Sequence, residues 1–482
     1  MSSGVSATKL VRPRGTSQTA SRLLVALFTL ALLVTSVAHI NQASARYTYR
    51  HGFISAVFAT SARNFARFGI LGLGGVPVDN NPPITSDDSY VHWPPLFPAT
   101  LSILFRLFGV SETVAHLWML AIAIGTALMV FAVARDWLGI SGGALAGSLW
   151  LATPVVVHYS QVVVPESLAI LLMLVSTYAF QRARPWLAAS AAFLAACTSW
   201  EAALIPAGLW LGATVSKRRS QKRLAALCAL AAVLALLLIG GCYASHSPAL
   251  VRDAVQTALF RMGLSDTYSK RPIVDSVERY IGLGESIGRI LVNFPRMLGI
   301  FGAAALVLLA LSRPKGSGIL LYALGTPWLA WCILMRNHMA AHDIEMDLAA
   351  PLAAIALAWV GLAILEQPRT VAKACASGVI AMAVALQPWV LGTEKSPEDP
   401  VQIIGFSDGI RRATSSNAIV LSPLISAIPL YYSERHLIRC IPDEMALRRV
   451  LPYVRQEYPE APLYWATPLY REPWVVVKEI RR

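Results

Sequence analysis

The sequence predicts an all-α polytopic membrane protein of about eleven transmembrane helices, with a small extracytoplasmic α/β domain at its C-terminal end. Three observations predict it. Of the 482 residues, 56% are hydrophobic and only 14% are charged. Soluble domains carry about 25% charged residues, so a surface this apolar needs lipid as its outer solvent. Apolar runs of helical length recur along the chain, giving a mean hydropathy of +0.55. Lys and Arg collect in the short gaps between these runs, where they set membrane topology. The formal net charge of +14 is therefore a topological signal, and without any DNA- or RNA-binding motif it excludes nucleic acid as a partner.

Residues 1–22 are polar and basic (Lys9, Arg12, Arg14, Arg22) and form a cytoplasmic tail. The run 23–40 has the plan of a signal peptide, but its length and the many spans after it predict an uncleaved first helix. Segment 41–112 is the first external loop, aromatic and rich in turn residues such as Gly72, Gly74, Gly75, Pro77, Pro82 and Pro83. Two amphipathic helices are expected in it, lying along the membrane surface. One covers 51–69, with Phe53, Phe58, Phe65 and Phe68; the other covers 94–108, opened by Pro94 and Pro95. Later spans are expected near 113–134, 142–158, 165–181, 185–199, 201–216, 223–243, 297–312, 318–335, 347–365 and 374–391, and those within 142–216 form two tight pairs. With the N-terminus inside, every inside loop is basic: Arg135, Arg182 with Arg184, the Lys217–Arg223 run, Arg313 with Lys315, and Arg369 with Lys373. Three long segments then fall outside: 41–112, 244–296 and 392–482. The second carries amphipathic helices near 248–263 and 276–292. Residues 23–391 thus form the membrane part.

The last segment alternates short strands and helices. Ala418–Leu421, Leu437–Ile441 and Pro462–Ala466 are expected as strands, with helices over 402–413 and 443–457, a small α/β layer. Gly405-Phe406-Ser407-Asp408-Gly409 lacks the spacing of a dinucleotide loop. The six cysteines show no metal-binding spacing and are expected as small apolar residues.

Chemistry concentrates in a few places. Asp87-Asp88-Ser89-Tyr90-Val91-His92-Trp93-Pro94-Pro95-Leu96-Phe97-Pro98 puts two carboxylates and an imidazole before a Pro-opened helix. A carboxylate there can deprotonate a hydroxyl, and a neutral His can carry a proton or bind a metal; a solvated acidic turn would have the same composition. Glu166 follows Pro165 at an outside turn, where an acid also caps a helix. Glu201 lies beside Trp200 at the edge of an apolar run, where a carboxylate is costly and points to function; at a surface turn that cost would vanish. The stretch Arg336 to Asp347 is dense in polar groups, and His338, His342 and Glu345 share a face if it is helical. Such a face suits a divalent cation or, with Arg336, a phosphate-like anion; a hydrated loop is the plainer alternative.

The Tyr90–Pro98 segment resembles the aromatic-x-His-Pro-Pro-Leu stretch of GT-C-fold membrane glycosyltransferases, with Trp93 inserted before the prolines. The chain looks most similar to the bacterial branch of the protein O-mannosyltransferase and lipid A aminoarabinose transferase superfamily. Ala62-Arg63-Asn64-Phe65-Ala66-Arg67-Phe68-Gly69 is similar to an Ala-Arg-Asn segment of that branch, and Phe108-Gly109-Val110-Ser111-Glu112 to the end of the helix that follows. Thr198-Ser199-Trp200-Glu201 and His342-Asp343 with Pro351 also have similar counterparts. The motif match is dense over 50–115. In one respect the chain departs from the pattern. The family's catalytic acid precedes the Ala-Arg-Asn segment by about ten residues, and here no Asp or Glu occurs between residues 23 and 78; Arg50, His51 and Ser55 are the nearest polar side chains.

The resemblance implies a glycosyltransferase that moves a monosaccharide from a polyprenyl-phosphate donor to a lipid, glycan or protein acceptor at the outer face of the inner membrane. The alternative is a degenerate relative or transporter that binds a lipid-linked sugar without transferring it. Asp88 is expected as base, with Asp87 second and His51 as the substitute near the family's usual place. His51, His92, Glu166, Glu201, Arg336, His342 and Asp343 are expected to contact substrate. A divalent cation, if used, would fall to His92 or His342. Membrane lipids surround the whole.

Overall fold

The computed structural model describes residues 18–49, 51–85, 88–215, 219–266, 280–365, 399–424, 426–469 and 473–480. Asp87, Arg50 and the expected span at 374–391 lie outside these residues. The fold is helical, with one small sheet near the C-terminus.

Helix α1 (Gln18–Gln42) packs against α4 (Glu112–Leu151), so closely that a Cβ on Gly147 would stand 2.5 Å from the Phe28 ring. Helix α4 starts at Ser111, whose hydroxyl accepts from Val114 N at 3.3 Å, with Glu112 in the first turn. Its 40 residues merge two expected spans. The break is at Gly139 (φ 74°, ψ −177°), a backbone no helix continues through. The arms meet beyond it: a Cβ on Gly143 would lie 2.7 Å from the Phe131 carbonyl oxygen. The second arm stops at Leu151, and the short helix α5 (Pro154–Tyr159) begins after a turn, so the expected span 142–158 is two elements.

The following helices are α6 (Pro165–Gln181), α7 (Pro185–Ala196), α8 (Ile205–Val215) after a 3-10 turn at Glu201–Leu204, α9 (Arg219–His246) and α10 (Pro248–Arg261). Then come α11 (Leu283–Leu298), α12 (Ile300–Ser312), α13 (Gly318–Leu334), α14 (Arg336–Ala341), a 3-10 turn at Asp343–Ala349, and α15 (Ala350–Leu365). Helices α8 and α13 meet at Gly208 and Gly212. A Cβ on Gly208 would fall 2.3 Å from Tyr322 O, so only glycine permits this backbone approach.

Among the described residues four helices are long and apolar enough to cross a membrane, and α11 with α12 forms a fifth, bent candidate. The shorter apolar helices α3 (Leu96–Phe108), α7, α8 and α13 pack beside them. Helices α1, α9 and α12 expose Leu and Val along their flanks, as lipid-facing helices do. Cys197, Cys228, Cys242 and Cys332 are free thiols.

Among the described residues, three loops expected inside share one end with the start of α1. At one end Arg182 grips Asp136 with two bonds (2.9 and 2.6 Å), Trp137 Nε1 donates to Lys315 O (3.1 Å), and the Ser21 and Ser141 hydroxyls share a bond of 2.8 Å. These contacts join the N-terminal helix and three of the expected inside loops. The other end gathers the segments expected outside.

There the first loop meets the tail in a buried polar seam. The tail sheet has the order β2-β1-β3-β4, from β1 (Ile419–Leu421), β2 (His436–Ile438), β3 (Leu463–Pro468) and β4 (Val475–Glu479). The pairs β1–β2 and β1–β3 are parallel, β3–β4 antiparallel. Helices α16 (Pro400–Ala413), α17 (Ile428–Ser433) and α18 (Glu444–Glu457) complete the unit. The three expected strands and two helices are present; β4 and α17 are additional. From α2 (Gly52–Phe68), Arg63 donates to Tyr431 O (2.9 Å) and Asn81 Oδ1 (2.8 Å), with its guanidinium 4.8 Å from the Tyr431 ring centre. Burial draws Arg63 down to about 10, which leaves it charged at neutral pH. Asn81 Nδ2 reaches Leu430 O (2.7 Å) and Arg435 O (3.0 Å). The Asn80 amide bonds both backbone groups of Leu437 (3.0 and 3.1 Å), standing in for a further strand beside β2.

Candidate active site

Three segments bring polar side chains together at this end. His51 stands just before α2 with φ 60°, in the left-handed region. A non-glycine residue held there costs of order 1–3 kcal/mol and marks a functional candidate. The turn is locked from behind, since Gly52 N donates to Tyr49 O (2.8 Å) and a Cβ on Gly52 would lie 2.2 Å from Tyr47 O. Tyr159, the last residue of α5, sets its hydroxyl 2.8 Å from His51 Nε2 and donates to Asp343 Oδ1 in a short bond. His51 Nε2 is itself 3.7 Å from Asp343 Oδ1. Because the Tyr159 proton goes to Asp343, His51 Nε2 is the protonated nitrogen and Nδ1 carries the lone pair. The His158 ring lies edge-on to Tyr159 at 4.5 Å.

His51 and Asp343 line an open cleft of about 510 Å³. Helix α11 also lines it, through Glu285, Arg289, Asn293 and Arg296. Arg289 pairs with Glu285 at 2.7 Å, one helical turn apart. The cleft thus presents an imidazole–tyrosine–carboxylate chain and two guanidinium groups.

A second cluster adjoins it. His338 Nε2 is 2.9 Å from Glu345 Oε1, and Trp331 Nε1 donates to Glu345 Oε2 at 3.1 Å. The His342 ring lies 4.5 Å from that of His338. Trp93 meets His338 edge-on at 5.6 Å and carries Arg261 over its ring at 4.8 Å. Deeper, Glu166 and Glu201 are buried with Asp347 near Glu345. Among the described residues, Glu166 Oε2 and Asp347 Oδ1 have no hydrogen-bond partner, an exceptional state for buried carboxylates.

The sequence-predicted residues divide accordingly. His51 and Asp343 meet directly, His342 stands beside the His338–Glu345 pair, and Glu166 and Glu201 share the buried acidic region. Asp88 is elsewhere. It is buried in the seam, where Oδ1 accepts from Asn80 (2.9 Å) and Oδ2 from Thr85 N (2.8 Å), Thr85 Oγ1 (3.2 Å) and Tyr458 (3.5 Å), with His436 Nε2 at 3.5 Å. The cleft walls do not include it; where Asp88 was expected as base, the structure places a carboxylate held by these donors between loop and tail. Arg336, expected at phosphate, turns to the Gly263 (3.0 Å) and Ile281 (3.4 Å) carbonyls. The His92 ring lies against Tyr90 at 4.9 Å, and its carbonyl accepts from Trp200 (2.8 Å) and Arg261 (3.4 Å); its neighbour Trp93 makes the contact with the second cluster. Among the described residues no group of three or more His, Cys, Asp or Glu side chains is placed to hold a metal ion, His92 and His342 included.

Sequence reasoning missed Tyr159, His158, Arg289 and Arg296. The His158-Tyr159 pair closing an apolar run was a visible signal, as was the spacing 289, 293, 296 on one helical face.

No family model matches the chain, and no curated protein matches it. Solved structures do. The chain is similar to ArnT from Cupriavidus metallidurans bound to undecaprenyl phosphate, with a TM-score of 0.60 and 13% identity over 96% of this chain and 98% of that one. The apo form of the same protein aligns with a TM-score of 0.60 and 14% identity. The Archaeoglobus fulgidus oligosaccharyltransferase tethered to an acceptor peptide aligns with a TM-score of 0.57 and 12% identity, over 92% of this chain and 69% of that one. Both are GT-C-fold glycosyltransferases, and the chain has the GT-C fold.

Proposed function

We propose that this protein transfers a monosaccharide from a polyprenyl-phosphate donor to an acceptor hydroxyl or amine at the outer face of the membrane, with His51 as base. The observation that carries it is the His51–Tyr159–Asp343 chain in a cleft that also holds Arg289 and Arg296. The ArnT structure contains undecaprenyl phosphate, a ligand of the proposed donor class.

In one displacement the acceptor attacks the anomeric carbon as the bond from that carbon to the phosphate oxygen breaks. The electron pair leaves with the phosphate, and the acceptor proton passes to His51 Nδ1. Attack on the face opposite the leaving group inverts the centre without a covalent intermediate. Asp343, through Tyr159, stabilises the imidazolium that forms. Arg289 and Arg296 offset charge on the departing phosphate. In this reading 41–112, 244–296 and 392–482 face the extracytoplasmic side, the last as a separate domain.

The second reading, a protein that binds a lipid-linked sugar without transferring it, is favoured by the lack of any acid between residues 23 and 78. One experiment separates the two. Purified protein in vesicles is given polyprenyl-phosphate sugars and candidate acceptors, with His51→Gln and Asp343→Asn beside the unmodified chain. Loss of a general base costs about 10²–10⁴ in turnover, so His51→Gln falls by that factor while the protein stays folded. Full turnover in His51→Gln removes the proposed base. Binding without turnover by the unmodified chain favours the second reading.

A further inference from the structure

We infer that Tyr49, Ser55 and His116 are positioning residues for His51: a hydrogen-bond network through their side chains ties the His51 turn to the segment that carries Tyr159. The inference rests on the reading of His51 as base and names what holds that base in place. His51 does not supply the restraint itself. Its φ of 60° is a conformation that a non-glycine residue leaves unless its surroundings over-determine it. The residues on either side are held from outside the turn. Before His51, Tyr47 is fully buried, and its N–H donates to the Tyr432 hydroxyl at 2.8 Å. The Tyr47 ring meets those of Tyr431 and His116 edge-on, at 5.1 and 5.5 Å. After it, Ile54 N donates to His51 O at 3.0 Å as α2 begins.

Between these points the protons run in one direction. Val163 N donates to Ser55 Oγ at 3.0 Å. That leaves the Ser55 proton for the Tyr49 hydroxyl oxygen, 3.1 Å away. The Tyr49 proton then lies between His116 Nε2 (3.3 Å) and Gln161 O (3.4 Å). His116 Nδ1 is 2.8 Å from Ala43 O. A carbonyl only accepts, so Nδ1 carries the proton, and Nε2 of the neutral ring presents its lone pair to Tyr49. Ser55 and His116 are buried, in a low-dielectric interior where such bonds are stronger than in water.

The partners give the network its meaning. Tyr49 precedes His51 in the same turn, and Ser55 follows it in the first turns of α2. Gln161 and Val163 come directly after Tyr159, and Val162 N donates back to Tyr159 O at 2.9 Å. The two segments that meet at the 2.8 Å contact between His51 and Tyr159 are therefore also joined by Ser55–Val163 and Tyr49–Gln161. His116, on the second turn of α4 and bonded to Ala43 just after α1, fixes the Tyr49 hydroxyl against the helical bundle. Tyr49, Ser55 and His116 are not among the residues that line the cleft, so they act through His51 rather than on substrate. A reacting group misplaced by about 1 Å loses on the order of 10²-fold in rate, and release of this network should therefore lower turnover without weakening donor binding.

The test uses the full chain in vesicles, with histidine rings labelled with 15N and the His51 signals assigned by their loss in His51→Gln. Tyr49→Phe and Ser55→Ala each remove one oxygen. His116→Leu removes both ring nitrogens, and His116→Gln returns an acceptor near the place of Nε2. In the unmodified chain His51 should show one protonated and one bare ring nitrogen, with well-separated resonances. In Tyr49→Phe, Ser55→Ala and His116→Leu the two resonances should move towards each other as the ring samples both tautomers. Turnover of a polyprenyl-phosphate sugar should fall about 10–100-fold, with its binding constant within about threefold. His116→Gln should recover most of what His116→Leu loses. Unchanged His51 resonances in both Tyr49→Phe and Ser55→Ala overturn the inference, whether or not His116→Leu folds, as does a loss of turnover matched by an equal loss of donor binding. Full turnover in His51→Gln would instead sink the proposed base, a result that the ring resonances of the other variants do not share.

Discussion

Replacing Arg63 by Ala tests whether the first loop is held by the tail. The change leaves two buried acceptors, Tyr431 O and Asn81 Oδ1, without their donors at 2.9 and 2.8 Å. Each orphaned acceptor costs about 1–3 kcal/mol. The contact with the Tyr431 ring contributes about 0.5–2 kcal/mol more. The three share one site and do not add fully, so we expect a loss of about 3 kcal/mol against local opening of the seam. At 1.4 kcal/mol per tenfold, that raises the open population roughly a hundredfold. Hydrogen exchange with mass spectrometry on peptides covering 76–85 and 426–438 measures it directly. Exchange there should accelerate about a hundredfold, with α4 and α15 unchanged. Arg63→Met keeps the stem packing and should fall between the two. Acceleration below about threefold would refute the claim that these bonds hold the seam.

Further outcomes follow from the same geometry. Tyr159→Phe removes the hydroxyl between His51 and Asp343; losing a bond to a charged group costs about 1.5–3 kcal/mol, so turnover should fall about 10–150-fold with the binding constant for a polyprenyl-phosphate donor little changed. Asp88→Asn keeps a similar shape but loses acceptor charge among four donors; it should speed exchange in 80–88 and leave turnover per folded molecule within about threefold. Burial raises Glu434, but the Arg67 hydrogen bond and the charges of Arg63, Arg67 and Arg411 outweigh it and hold the carboxyl below its ordinary 4.5. Its contribution is therefore complete above pH 4.5 and is lost as pH falls through the lowered value, so exchange at 428–436 should rise on acidification, and less so in Glu434→Gln. Gly208→Val forces α8 from Tyr322 and should lower the yield of folded protein, measured by size-exclusion chromatography in detergent.

Much of the fold was legible because lipid imposes a simple rule: backbone in hydrocarbon must be helical, and the charges must sit between spans. The contacts Arg182–Asp136 and Trp137–Lys315 join loops that charge alone had put on one side. The tail was legible through the alternation of short β-rich and helical runs. Boundaries were less so, since the two spans that hydropathy separates meet at a break of one residue, Gly139, with no loop between them. The site was half legible. His51 and Asp343 stood out as polar residues in apolar or external surroundings. Asp88 stood out for the same reason, yet its burial against Asn80, Thr85 and Tyr458 depends on a partner 370 residues away that no local pattern announces. Nor did spacing distinguish Arg63 and Asn64, which hold the loop, from residues that face the cleft. Tyr159 was passed over: the His158-Tyr159 pair closing an apolar run was on view, but its partners His51 and Asp343 lie 108 and 184 residues away.

The seam also bears on how the molecule is made. Arg63 and Asn81 bond groups that lie 368 and 349 residues later in the chain. A ribosome will have threaded nearly every apolar segment into the bilayer before those partners exist. Until then Arg63 has Asn81 Oδ1 of its own loop but not the Tyr431 carbonyl, and water must stand in for the tail. A product ending before residue 428 could insert its membrane helices and still leave Arg63 and Asn81 without the tail carbonyls they bond, so truncation from the far end should loosen the loop at the near one.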